Sequence, residues 1–84
     1  MYQPVEVRGK LSRADLTAVL DVVAKAQSSR GEAIGGVNHV DVYPVPNNEP
    51  GELRVLVDAR GCLVTLTKRD GVWIVEDFDD LPYQ

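Results

Sequence analysis

Eighty-four residues hold one domain and leave no room for a second core. A net charge of −4, with nine basic residues dispersed along the chain, argues against nucleic acid as a partner, because that binding neutralises phosphates with Lys and Arg. The single cysteine excludes an intramolecular disulfide, and no run reads as a signal peptide or membrane span, so a soluble cytoplasmic protein is expected.

Residues 1–9 form an arm or an edge strand. Val5-Glu6-Val7 alternates with period two, and Pro4 suits an edge rather than a central strand. A helix is expected over 12–28. Ser12 is placed as its N-cap, Asp15 three residues on completes a variant of the capping box, and Leu11 and Leu16 occupy the positions of a hydrophobic staple. Leu16, Val19, Leu20, Val22, Val23 and Ala26 share one arc of the helix, while Asp21 and Lys25 form an i,i+4 pair on the polar side. Gly31 fits the position after the C-cap.

Four strands are expected after the 31–36 loop, over 37–45, 52–58, 62–68 and 72–78, and an acidic tail over 79–84. Asp70-Gly71 between apolar runs is the signature of a two-residue type I′ hairpin turn, which requires φ > 0 at both positions. With Arg60-Gly61 as the other short loop, Val57 pairs with Val64, Val55 with Leu66, Leu66 with Val75, and Lys68 with Trp73. That register gathers Leu53, Val55, Val57, Val64, Leu66, Trp73 and Val75 on one face, joined by Val40 and Val42. The fold class is therefore α+β, one N-terminal helix packed on a four-stranded antiparallel meander.

The same register assigns His39, Asp41, Tyr43, Arg54, Leu56, Asp58, Leu63, Thr65, Thr67, Ile74, Glu76 and Phe78 to the opposite face. Half-apolar faces of this kind mark interaction surfaces. Leu56, Leu63, Ile74, Phe78 and Tyr43 are the expected contacts of a homodimer.

The stretch Val64-Thr65-Leu66-Thr67-Lys68-Arg69-Asp70-Gly71-Val72-Trp73-Ile74-Val75 resembles the closing hairpin of nuclear transport factor two-like proteins, which belong to the cystatin-like superfold. That family often ends on an apolar strand, a basic residue, a Gly turn and a Gly-x-Trp-x-apolar strand. The resemblance implies a helix-on-meander fold and dimerisation through the sheet. It implies no activity, since the carboxylates of the family's isomerases and dehydratases have no matching positions here.

His39 and Asp41, two residues apart on a strand, project from one face about 7 Å apart, a spacing that suits a base and an orienting carboxylate. Glu76 shares their face but lies three strands away, about 14 Å at roughly 4.8 Å per strand. An ordinary cross-strand ion pair between Asp41 and Arg54 is the favoured reading over catalysis. Cys62 has the parity of a packed core residue, and Trp73 that of a core aromatic. Gly31, Gly35 and Gly36 precede a strand rather than a helix, which removes the phosphate-loop mechanism. One His, one Cys and scattered carboxylates show no metal-ligand spacing, so neither metal nor cofactor is expected.

These readings give a small cytoplasmic binding or assembly protein, homodimeric through its sheet face, with catalysis not expected. One alternative is a small-molecule binder, taking a small apolar ligand, or a minimal enzyme with a pocket using His39, Asp41 and Glu76. Another is an acidic inhibitor or immunity-type protein that offers Asp77, Asp79 and Asp80 to a basic protein partner.

Overall fold

The computed structural model describes residues 5–43 and 52–80. One helix packs on a five-stranded mixed sheet, with elements in the order β1 (Glu6–Arg8), α1 (Arg13–Ser29), β2 (Val37–Tyr43), β3 (Leu53–Ala59), β4 (Cys62–Arg69) and β5 (Val72–Asp80). Strands lie side by side in chain order. The expected four-stranded antiparallel sheet needs correction here. β1 pairs in parallel with β2, so that β1, α1 and β2 form a crossover unit, and only β2 to β5 make the antiparallel meander.

The helix begins and ends where the sequence places it, within a residue. Ser12 caps it with extended backbone, and its Oγ accepts the Asp15 N–H at 3.0 Å. At the other end the Gly31 N–H donates to the Ser28 carbonyl and the Glu32 N–H to the Gln27 carbonyl. That pair of bonds is a Schellman closure, and Gly31 supplies its left-handed residue at φ 72°. Val19, Val23 and Gln27, spaced four apart, are the buried stripe.

Both short hairpins form as expected. Asp70 and Gly71 both have positive φ, at 53° and 77°. Arg60 does not take that conformation, and its N–H donates to the Gly36 carbonyl at 2.9 Å, tying the β3–β4 turn to the loop before β2. The expected pairings Val57–Val64, Val55–Leu66, Leu66–Val75 and Lys68–Trp73 are all present. Val40, Val55, Val57, Val64, Leu66 and Trp73 are buried under α1 with Ala59 and Cys62, and Val42, Leu53 and Val75 pack at the margin.

Three local departures concern strand pairing and strand ends. A bulge in β5 sets Thr65 opposite Asp77 while Leu66 stays opposite Val75, leaving Glu76 as the extra residue. Beyond it every side chain changes face. Phe78 consequently pairs with Val64 and packs against the core, so its expected place on the opposite face is corrected. Arg30, just past the helix, stacks its guanidinium 4.2 Å from the Phe78 ring centre. Asp79 and Asp80 extend β5 rather than starting a tail, and residues 81–84 lie outside the described residues.

The second departure is in β2, whose residues His39 to Tyr43 pair with β3 two residues away from the expected register, setting Asp41 opposite Leu56 and Arg54 opposite Tyr43. The expected Asp41–Arg54 ion pair is replaced by one with Arg8 of β1, at 3.6 Å. The third concerns strand ends: β3 runs over 53–59, and the expected end of β2 at 44 and 45 falls outside the described residues.

Candidate functional site: the open face of the sheet

Among the described residues α1 is the one element laid on the sheet, and it covers one face. Cross-strand pairing arranges the other face in rows. The row nearest the β3–β4 turn holds Glu6, His39, Asp58, Leu63 and Asp79. Next come Arg8, Asp41, Leu56, Thr65 and Asp77. A third row holds Tyr43, Arg54, Thr67 and Ile74, and a fourth Arg69 and Val72.

Apolar groups run through these rows. Tyr43 is 45% exposed, Ile74 45% and Val72 58%, while Leu56 and Leu63 are half-buried between charged neighbours. Of the five expected contact residues, Tyr43, Leu56, Leu63 and Ile74 therefore share this face. Phe78 does not. Thr67, flanked by Arg54 and Ile74, is fully buried, and its Oγ1 has no hydrogen-bond partner among the described residues. An unpartnered buried hydroxyl costs about 1–3 kcal/mol.

The polar end of the face is denser than the sequence indicated. His39 Nε2 stands 3.5 Å from Asp41 Oδ2 and 3.6 Å from Asp58 Oδ2, beyond good hydrogen-bond length but within reach of an ion pair when the imidazole is charged. Asp58 was expected on this face but not in this cluster. Its arrival depends on the β2–β3 register, in which His39 pairs directly with Asp58. Arg8 closes the group, donating to Glu6 at 3.3 Å as well as approaching Asp41. The Glu6 hydrogen bond holds the Arg8 guanidinium above its ordinary pKa. Glu76, in the β5 bulge, lies three strands from β2 and does not join the group.

A cavity of about 300 Å³ lies on the helix side of the sheet, lined by Val5, Leu20, Val23, Ala24, Gln27, Gly35, Gly36 and Val37. Its volume is at the lower limit for small-molecule sites. Neither His39, Asp41 nor Glu76 lines it. Gln27 is committed to the scaffold, donating from Nε2 to the Gly35 carbonyl at 3.0 Å and accepting the Gly35 N–H at 2.9 Å on Oε1. Sequence reasoning missed this residue; a glutamine one turn beyond Val23 on the apolar stripe was the available signal.

The remaining candidates have packing roles. Cys62 is fully buried. Trp73 is 8% exposed, and its indole N–H donates to Asp15 Oδ1 at 3.2 Å. Among the described residues no three His, Cys, Asp or Glu side chains are grouped to hold a metal ion, and no helix is long and apolar enough to cross a membrane. No family model, curated protein or solved structure matches the chain.

Proposed function

We propose that this chain is a small binding or assembly protein that acts as a homodimer through the open face of its sheet. The observation that carries the reading is the exposure of Tyr43, Val72 and Ile74 around half-buried Leu56 and Leu63, on a face that α1 leaves bare. Small domains bury a limited fraction of their surface, and association is a common supplement to a single small core. The cystatin-like arrangement suggested by the closing hairpin belongs to this reading, since it leaves one face of a meander free for pairing. Catalysis by His39 has weaker support, because its carboxylate neighbours stand 3.5 and 3.6 Å away, beyond good hydrogen-bond length, and the helix-side cavity is lined by other residues.

Replacing Ile74 with Asp tests the proposal. Sedimentation velocity is expected to show loss of the dimer while the circular dichroism and Trp73 fluorescence of the folded chain persist. Retention of the dimer by a folded Ile74→Asp chain would contradict it.

A further inference from the structure

The open face is electrically lopsided along the strand direction. Its first two rows carry five carboxylates, Glu6, Asp41, Asp58, Asp77 and Asp79, against the single arginine Arg8. The other end carries Arg54 and Arg69, with Glu52 beside Arg69 at 3.7 Å. Arg54 is exposed and has no acidic partner among the described residues. From this asymmetry we infer that the face is self-complementary, and that the second copy docks with its strands reversed, about a two-fold axis lying between the sheets and crossing the strands near Leu56. The inference rests on the homodimer reading above.

Only that orientation brings unlike ends together. A two-fold axis running along the strands would lay the acidic rows of both copies against each other, and like-charge opposition at an interface costs several kcal/mol. With the axis across the strands, Leu56 meets its own counterpart and Asp58 of each copy lies over Arg54 of the other. Isologous contacts require this reciprocity. The axis also sets Asp41 and Asp77 of each copy toward their own counterparts; Arg8, 3.6 Å from Asp41, offsets the first charge, and the rotation of packed sheets by about 30° carries Asp77 to the rim. Four strands of seven residues span roughly 24 by 19 Å, so the area per copy falls at or below the low end of stable interfaces. Association on the order of micromolar, rather than obligate, is expected.

Arg54→Glu and Asp58→Arg form the test, each chain checked for folding by circular dichroism and its mass read by light scattering. Arg54→Glu sets like acids against each other twice, and Asp58→Arg sets like bases twice. Each alone is expected to weaken dimerisation at least tenfold. An equimolar mixture restores unlike charges at both oppositions and is expected to return the dimer as a heterodimer, detectable with one chain tagged. A wild-type dimer that survives both single substitutions, or a mixture that stays monomeric, overturns this orientation while leaving the open-face dimer to the Ile74→Asp result. A monomeric wild type, including one whose face captures a basic protein instead, overturns both.

Discussion

Lys68 Nζ lies 2.9 Å from Asp15 Oδ1, joining the first turn of the helix to the last hairpin across fifty-three residues of chain. Trp73 reaches the same carboxylate from the facing strand. At the far end of the helix Arg30 covers Phe78. The helix is thus held at both ends over β5, and these attachments keep the opposite face of the sheet bare.

The hydrogen bond from Lys68 holds the Asp15 carboxyl below its ordinary pKa; burial opposes it, and the Trp73 indole adds a smaller lowering effect. A depressed native pKa means that the unfolded chain binds the proton more tightly. Its stabilisation is complete above the unfolded value of 3.8 and is lost as pH falls through the folded one. Asp15→Asn should cost about 1–2 kcal/mol at neutral pH by urea unfolding. It should also flatten the decline in stability below the unfolded value.

Gln27 ties α1 to the loop before β2 through two hydrogen bonds to one residue, Gly35. Gln27→Leu removes both and leaves the Gly35 N–H and carbonyl without those partners. A loss of about 2 kcal/mol is expected, with faster amide exchange at Gly35 as the local sign.

Thr67 offers the opposite case, because its hydroxyl is buried with no partner among the described residues. Valine has the same branching and nearly the same volume, and it suits a strand. Thr67→Val should raise stability by about 1 kcal/mol, seen as an upward shift of the urea midpoint with the slope unchanged.

Phe78 and Ile74 separate the two faces. Phe78 packs against the core beside Val64, so Phe78→Ala is expected to cost about 2–3 kcal/mol of folding stability. Ile74 is 45% exposed, and Ile74→Ala should change the stability of the monomer by less than about 1 kcal/mol. Denaturant titrations at concentrations too low for association would read both.

The helix and the two tight hairpins were legible because their determinants are local. Ser12 and Gly31 fix the helix ends, Asp70-Gly71 fixes one turn, and the alternation of Val55, Val57, Val64 and Leu66 fixes the core face. What escaped was set by partners distant in the chain. The parallel docking of β1 depends on where the helix delivers β2. The β5 bulge that moves Phe78 inward has no turn residue to announce it, only an extra acidic position among Glu76, Asp77 and Asp79. The β2–β3 register that brings Asp58 to His39 is equally silent, because no tight turn fixes it. Of the site, the exposed apolar residues were readable from parity, whereas the charge cluster was not.

Light scattering of the wild-type chain across a dilution series addresses the open face most directly. Twice the 9.2 kDa chain mass at high concentration, falling toward the single mass on dilution, is the expected result. A mass of one chain at every concentration would contradict pairing through the face that carries Tyr43, Leu56 and Ile74.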